Sequence, residues 1–443
     1  MTSFHAEYAW LGDETAAREV LIEVTDGVIT SVSADATRPE GAVRLAGLTL
    51  PGLVNTHSHV FHRAIRGHTE SAAADFWAWR ELMYRVAGRL DPDSLYALAR
   101  ATYAEMALAG ITTVGEFHYL HHGPDGARYA DPNELGAAVR RGAADAGVRL
   151  TLLDTCYLQA DVNGTALGGV QRRFDDGSWR AWAERTGALT DDPSVRIGAA
   201  IHSVRAVPRT ALQPIAQTVR QRGAPLHLHL SEQPAENAAT QAAFGRTPTQ
   251  VMAEAGVLGA ATTAVHATHL TAPDIALLGG SGTSISMCVT TERDLADGIG
   301  PARALATAGC PIVLGTDGHM MIDMFEEARG VELDERLATG RRGHFTVPEL
   351  LSAATSAGAA SLGWNAGRIA PGALADLTTV ALDTPRTARA RAGDPLAAAL
   401  YSATSADVRT VVVGGTVIVQ DGRHRSVEDV GGALADAISA VLT

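Results

Sequence analysis

The chain contains no lysine, so all 36 of its basic residues are arginines. Without lysine the protein cannot form a Schiff base, build a P-loop around a phosphate or use a lysine-derived metal ligand. Cysteine is also scarce, with three residues at Cys156, Cys288 and Cys310. Their odd number, wide spacing and apolar surroundings indicate reduced thiols and not a disulfide framework, so we expect a cytoplasmic protein.

Positive charge is in short supply as well. The 49 acidic residues outnumber the 36 basic ones and give a net charge of −13, which leaves no general positive field to hold a nucleic acid backbone. The first residues lack a basic stretch followed by an apolar one, and no later segment offers the roughly 18 consecutive apolar residues of a membrane span. We therefore expect neither a nucleic acid nor a membrane as partner.

The two ends of the chain share a β-rich texture. Residues 20–50 alternate like short strands around the turn pair Asp26-Gly27, and the segments ADLTTVALD and VRTVVVGGTVIVQDGR repeat this pattern ahead of a short final helix. With 443 residues, 46% of them hydrophobic, the chain can bury one large core and a smaller one. We expect residues 1–50 and 367–443 to form one small β-sandwich domain.

The middle of the chain, residues 51–366, alternates eight apolar runs with helical stretches rich in Ala, Leu and Arg. This alternation is typical of a parallel α/β fold, and eight runs predict a (β/α)8 TIM-like barrel. The stretch from about residue 161 to 195 is polar and rich in glycine, which indicates an insertion or a lid.

Histidines and an aspartate recur where these apolar runs end. His57 and His59 follow the run LTLPGLVN and, two residues apart in an extended segment, project to the same side. His227 and His229 close the run PLHLHL, His266 closes TAVH and Asp317 closes PIVLGTD. The carboxyl ends of the strands form the reaction face of a β/α barrel, so these side chains can meet there.

Three neutral imidazoles and one carboxylate suit a borderline divalent ion such as zinc, with one position left for water. We expect one divalent ion per chain, Zn2+ in the first place, while ligands of this kind also accept Fe2+. The alternative is that several of these histidines only cap strands or bond backbone carbonyls.

The segments PGLVNTHSH, HLHLSEQ, VHATH and GTDGH, in this order and spacing, resemble the amidohydrolase superfamily. The resemblance covers nearly the whole chain and implies a metal-dependent hydrolase in which a (β/α)8 barrel lies beside a small β-sandwich. Because the chain has no lysine to bridge two metals, it is similar to the mononuclear deaminases of that superfamily and not to its binuclear members.

Four further segments, FWAWRELMYR, GEFHYLHH, IHSVRAV and TTERDLADG, narrow this resemblance. They look like those of members that hydrolyse N-formimidoyl-L-glutamate to N-formyl-L-glutamate and ammonia during histidine degradation. The metal ligands that this resemblance implies are His57, His59, His229 and Asp317.

The same resemblance implies the other roles in the site. Glu232 would carry a proton to the leaving nitrogen, His266 would orient the attacking hydroxide, and Asp317 would take a proton from water. Arginine is suited to a dicarboxylate substrate because its planar fork matches a carboxylate with two hydrogen bonds. The implied substrate contacts are His62, Arg80, Tyr119, His202 and Arg205.

The chain departs from the pattern of these relatives at three positions: His62 stands in place of a glutamine, Gly318 in place of a serine and Val289 in place of a proline. Two alternatives stay open. One is a deaminase of the same superfamily for a purine, pterin, guanidine or triazine, which needs no pair of arginines facing carboxylates. The other is a non-catalytic metal-binding barrel. For the enzyme we expect a homodimer.

Overall fold

The computed structural model describes residues 2–68 and 76–442, and in the helix that begins at residue 76 it describes side chains from residue 79 onward. The strands are, in chain order, β1 (Thr2–Ala9), β2 (Ala17–Thr25), β3 (Val28–Ser33), β4 (Val43–Pro51), β5 (Leu53–Ser58), β6 (Ile111–His118), β7 (Arg149–Cys156), β8 (Val195–Ile201), β9 (Leu226–Leu230), β10 (Thr262–His266), β11 (Ser284–Met287), β12 (Ile312–Leu314), β13 (Leu377–Val380), β14 (Val408–Val413), β15 (Thr416–Gln420) and β16 (Arg423–His424).

The helices are α1 (Phe76–Arg89), α2 (Pro92–Leu108), α3 (Glu134–Ala146), α4 (Trp179–Gly187), α5 (Arg209–Gln221), α6 (Pro234–Phe244), α7 (Pro248–Glu254), α8 (Ala272–Ser281), α9 (Val289–Asp294), α10 (Ala302–Ala308), α11 (Met324–Thr339), α12 (Val347–Ala353), α13 (Ser356–Ser361), α14 (Pro395–Ser402) and α15 (Val430–Leu442). Short 3-10 turns include Val60–Ile65 and Gly169–Phe174. No helix within the described ranges is long and apolar enough to cross a membrane.

Strands β5 to β12 form one parallel sheet in the order of the chain. A parallel bridge between Ser58 and Asp317 brings the end of β12 back to β5 and nearly closes the sheet into a barrel. Parallel strands covered by helices are buried on both faces, and every residue of β5, β6 and β7 is buried. The predicted (β/α)8 barrel is confirmed.

The second sheet joins the two ends of the chain, in the order β16-β15-β14-β13-β4-β1-β2-β3. Its central pair aligns Leu377 of β13 with Pro51 of β4, immediately before the barrel begins. All neighbours are antiparallel except β1 and β4. One sheet from both ends was predicted, although the sequence pattern began at residue 20 and did not include β1. The domain boundaries at residues 50 and 366 stay a prediction.

A buried ion pair connects the barrel to this second sheet. Arg149, at the start of β7, donates from Nε and Nη2 to the carboxylate of Asp376, at 2.8 and 3.2 Å. Both side chains are almost fully buried. The pair lies at the amino end of the barrel strands and fixes the sheet there, so the carboxyl ends remain available for a site.

Candidate metal and catalytic site

Four side chains predicted as metal ligands converge at the carboxyl end of the barrel. Nε2 of His57 lies 3.2 Å from Nε2 of His229 and 3.1 Å from Oδ1 of Asp317. Nε2 of His59 lies 3.3 Å from each of these same two groups. The four ligand atoms therefore surround one point, and the barrel brings them there from β5, the residue after β5, β9 and the segment after β12.

These spacings fit a bound metal ion. A tetrahedral zinc site with ligands at about 2.0–2.1 Å has ligand-to-ligand edges of roughly 3.3 Å, and four of the six distances among these ligand atoms run from 3.1 to 3.3 Å. An alternative group replaces His59 with His266, since the ligand atoms of His57, His229, His266 and Asp317 lie within 4.8 Å of one another. The shorter contacts favour the set that contains His59.

Backbone carbonyls orient two of the imidazoles. Nδ1 of His59 donates to the carbonyl of Phe117 at 2.9 Å, and Nδ1 of His229 donates to the carbonyl of His202 at 2.9 Å. Each bond places the ring hydrogen on Nδ1 and leaves the lone pair of Nε2 directed at the cluster. Burial lowers the pKa of both rings well below the ordinary value, which keeps them in the neutral form that a metal needs.

The segment GTDGH explains how Asp317 reaches this point. A Cβ on Gly315 would lie only 2.7 Å from Cβ of His57, so glycine is needed for the close approach. The amides of Thr316 and Asp317 both donate to the carbonyl of His57, at 3.1 and 3.0 Å. Asp317 has a left-handed backbone with φ of 39°, a strained conformation of the kind found at functional sites.

Glu232 and His266 lie beside the cluster. Nε2 of His266 is 3.8 Å from Oε1 of Glu232 and 4.0 Å from Oδ2 of Asp317. Burial raises the pKa of Glu232 against the opposing charge of His266. Although burial lowers the pKa of His266, the carboxylates of Glu232, Glu292 and Asp317 raise it to about 10. The site thus places a carboxyl group with a raised pKa beside an imidazole whose pKa is also raised.

Two buried carboxylates in this region were not assigned a role from the sequence. Oε1 of Glu292 accepts the amide hydrogen of Cys288 at 2.9 Å and lies 3.3 Å from Nδ1 of His266. Glu116, in β6, accepts from the amide of Val60 and from the hydroxyl of Ser58, each at 2.7 Å. Burial raises the pKa of Glu116 to about 8. Glu292 orients His266, and Glu116 fixes the turn that follows β5.

A cavity opens onto the predicted metal ligands, and all five predicted substrate contacts line it. Its lining consists of His59, His62, Trp79, Arg80, Met83, Tyr84, Tyr119, Tyr157, Phe174, His202, Arg205, His229, Glu232, His266, Leu295 and Asp317. Nε2 of His62 lies 2.9 Å from Oη of Tyr119, and Nε of Arg80 donates to Oη of Tyr84 at 2.9 Å. Burial lowers the pKa of His62 to about 4, so this ring is neutral.

Arg205 differs from the other polar residues of the cavity. Within residues 2–68 and 76–442, no carboxylate pairs with its guanidinium and no protein acceptor takes a hydrogen bond from it. Its backbone carbonyl, in contrast, is held by Nε2 of Gln159 at 3.2 Å. A partly buried cation without a protein partner faces the cavity, and such a group is suited to an anionic ligand.

Comparison with known proteins agrees with this geometry. Residues 48–418 match the model of the amidohydrolase family, and the chain belongs to that family. It is 37% identical, over the full length of both chains, to formimidoylglutamate deiminase of Pseudomonas aeruginosa. It is also 32% identical to 8-oxoguanine deaminase of Pseudomonas aeruginosa, over 85% of this chain and 83% of that protein. The protein is accordingly a hydrolase with deaminase relatives.

Solved structures give the same fold. A crystal structure of an amidohydrolase from Brucella melitensis superimposes with a TM-score of 0.89 and 29% identity over the whole of both chains. Atrazine chlorohydrolase from Arthrobacter aurescens, a structure in complex with zinc, superimposes with a TM-score of 0.88 at 22% identity, also over both whole chains.

Proposed function

We propose that this protein is a formimidoylglutamate deiminase, which hydrolyses N-formimidoyl-L-glutamate to N-formyl-L-glutamate and ammonia in histidine degradation. Full-length identity of 37% to a formimidoylglutamate deiminase supports this function. The structural observation that carries this proposal is the guanidinium of Arg205, which has no partner among the described residues and lines the same cavity as the predicted metal ligands. A deaminase for a neutral heterocycle has no need for such a cation, whereas this substrate carries two carboxylates.

We propose one divalent ion per chain, Zn2+ in the first place with Fe2+ as the alternative, held by His57, His59, His229 and Asp317. When bound, such an ion supplies Lewis-acid chemistry and lowers the pKa of water toward neutrality. The neutral state of the buried imidazoles and the edges near 3.3 Å support this ligand set.

The remaining steps belong to side chains. The oxygen of water forms a bond to the formimidoyl carbon, and the electrons of the C=N bond move to the nitrogen. Asp317 accepts a proton from the water, and Glu232 donates one to the nitrogen, which becomes the amine of a tetrahedral intermediate. The proton held by Asp317 then passes to this amine, the C–N bond breaks to release ammonia, and the hydroxyl proton of the intermediate returns to Glu232 as the formyl C=O bond forms. His266, 4.0 Å from Oδ2 of Asp317, holds the attacking oxygen and stabilises the charge that develops on it.

Two arginines would hold the two carboxylates of the substrate. Arg205 lies just past the end of β8, Arg80 projects from α1, and both line the cavity. His62, Tyr119 and His202 line the same cavity and offer further hydrogen bonds. His62 is part of a pair with Tyr119 and can still serve a carboxylate, since a neutral imidazole has one donor nitrogen.

A steady-state assay tests the proposed function. The purified protein is given N-formimidoyl-L-glutamate, an aminopurine, a pterin and a triazine, and ammonia release is followed for each. We expect efficient turnover of the formimidoyl substrate, with N-formyl-L-glutamate as the second product. Preference for a neutral heterocycle would refute the assignment. The buried free thiols support the cytoplasmic location that we propose, and the homodimer stays a prediction for size determination in solution.

A further inference from the structure

The polar segment at residues 161–195 is firmly held against the barrel. Arg185 of α4 lies between two buried carboxylates, with Nη2 at 2.7 Å from Asp154 and 2.9 Å from Asp176. Trp182 of the same helix is fully buried and donates from Nε1 to Asp154 at 3.0 Å. Breaking such a network is costly, so this segment has the contacts of a fixed wall and not those of a lid.

Arg173 lies in the 3-10 turn of this segment and is 1% exposed. In the described part of the chain no carboxylate pairs with it. Its guanidinium instead donates to three backbone carbonyls: those of His122 at 2.8 Å, Leu90 at 2.6 Å and Ala87. Its own carbonyl accepts the amides of His121 and His122, at 3.0 and 2.9 Å. The side chain of Tyr129 also forms a hydrogen bond with Arg173. A buried cation held mainly by main-chain carbonyls needs a reason.

The position of two of these carbonyls provides the reason. Ala87 lies in the last turn of α1 and Leu90 directly follows the helix. The last carbonyls of a helix have no partner within it and carry the negative end of the helix dipole, so a guanidinium there satisfies them and holds the helix end. The same helix carries Arg80 and Tyr84 into the substrate cavity.

The other side of Arg173 reaches the cavity as well. The next residue, Phe174, lines the cavity and contacts two of its tyrosines, with ring centroids 5.0 Å from Tyr119 and 5.4 Å from Tyr157. One guanidinium thus connects α1, the turn 169–174 and the segment after β6. A lysine cannot replace it, because an ammonium group is a compact charge that does not span two segments with a planar fork.

We propose that Arg173 is a positioning residue for substrate binding, which locks α1 to the turn 169–174 and thereby fixes Arg80 at the cavity. The choice of substrate for its kinetic test rests on the proposed function, but the locking itself does not. Arg173 is not among the residues that line the cavity or among the predicted metal ligands. We therefore expect its substitution to change KM and not the rate of the chemical step.

Arg173→Gln is compared with wild type and with Arg89→Gln. Arg89 is a matched control because it is exposed, lies at the same helix end and donates to the carbonyls of Val441 and Leu442 on the opposite side. For Arg173→Gln we expect KM for N-formimidoyl-L-glutamate to rise about tenfold or more while kcat stays within about threefold. Metal content stays unchanged, and amide hydrogen exchange in residues 76–90 becomes faster. The control keeps wild-type values.

A double variant separates positioning from general damage. If Arg173 acts through Arg80, the increase in KM caused by Arg173→Gln disappears in an Arg80→Met background, since the contribution of Arg80 can be lost only once. The proposal would be overturned if Arg173→Gln raised KM by the same factor in the Arg80→Met background as in wild type. It would also be overturned if the Arg173→Gln variant had the same amide hydrogen exchange and the same KM as the Arg89→Gln control.

Arg173→Lys keeps the test decisive if the glutamine variant does not fold. This variant retains the positive charge and the aliphatic chain but not the planar guanidinium, so we expect amide hydrogen exchange in α1 to become faster here as well. If exchange and KM stayed at the wild-type values, the role of the guanidinium would be refuted. If wild type fails to hydrolyse N-formimidoyl-L-glutamate, the proposed function fails, while the exchange comparison still decides whether Arg173 locks α1.

Discussion

Arg205→Met tests the substrate assignment most directly, because among the described residues no protein group pairs with the guanidinium that it removes. Although burial opposes its charge, the neighbouring Tyr157, Glu236 and Glu232 raise the pKa of Arg205, so the side chain is fully ionised at neutral pH. Methionine keeps the apolar stem and removes the guanidinium. The variant should fold and bind metal like wild type, since the side chain of Arg205 forms no hydrogen bond with any other residue that the structure describes.

The size of the effect follows from the burial of the site. An exposed arginine–carboxylate pair is worth about 0–1 kcal/mol, whereas removing one partner of a buried, hydrogen-bonded pair costs about 2–5 kcal/mol. Arg205 is partly buried in a cavity whose lining includes the rings of Tyr84, Tyr119, Tyr157 and Phe174. We therefore expect kcat/KM for N-formimidoyl-L-glutamate to fall by roughly 30-fold to several thousand-fold.

The assay uses two analogues, each lacking one carboxylate: the N-formimidoyl derivatives of 4-aminobutyrate and of L-2-aminobutyrate. For the carboxylate that Arg205 binds, its removal should harm wild type far more than the variant, because the interaction can be lost only once. Arg209→Met is the control, since Arg209 is an exposed residue that pairs with Glu254 outside the cavity. Equal losses with both analogues in wild type and variant would show that Arg205 contacts neither carboxylate, and the reasoning would fail.

Four further outcomes are expected. Glu232→Gln keeps the metal but lowers kcat by about 100-fold or more, the scale of a positioned acid; steady-state kinetics with near-normal turnover would contradict this. Elemental analysis gives about one divalent ion per chain, and two tightly held ions would count against the site. Burial raises the pKa of Glu236 to about 7, so Glu236 becomes negatively charged near Arg205 as the pH passes 7. This charge competes with the substrate carboxylate for Arg205, and KM is expected to rise with pH in wild type but not in Glu236→Gln. Arg149→Met leaves Asp376 buried and unpaired and lowers the free energy of unfolding by about 3–5 kcal/mol in urea titration, with kcat unchanged.

Local sequence patterns were sufficient for the barrel and for the convergence of polar residues at its carboxyl end. Each barrel strand is an apolar run, and the polar residues near its carboxyl end lie at the face of the barrel where such residues meet. His57, His229 and Asp317 could therefore be placed at that face before their distances were known. Strand β1 was missed because its polar residues, including the buried His5, hide the alternation. Its burial depends on pairing with β4, more than 30 residues away.

Residues that act through distant partners could not be found in this way. Glu292 meets His266 across 26 residues, and Arg173 meets Ala87 across 86. No local pattern marks either contact, because the residues converge only when the barrel closes. The composition of residues 161–195 indicated an insertion or a lid, but composition does not reveal that Arg173 and Arg185 of this segment are buried.

The two acidic groups of the centre are driven apart in pKa, and this separation supports the division of roles proposed for them. Although burial raises the pKa of Asp317, the hydrogen bond from His57 and the positive charge of His266 hold it well below the ordinary value. Burial raises the pKa of Glu232. An ionised carboxylate can bind metal and accept a proton, and a carboxyl group with a raised pKa is suited to give a proton to the leaving nitrogen. If the two roles were exchanged, Glu232 would have to take the place of Asp317 among the predicted metal ligands. The imidazole that Glu232 contacts is His266, at 3.8 Å, and His266 is not one of the ligands whose atoms lie about 3.3 Å apart.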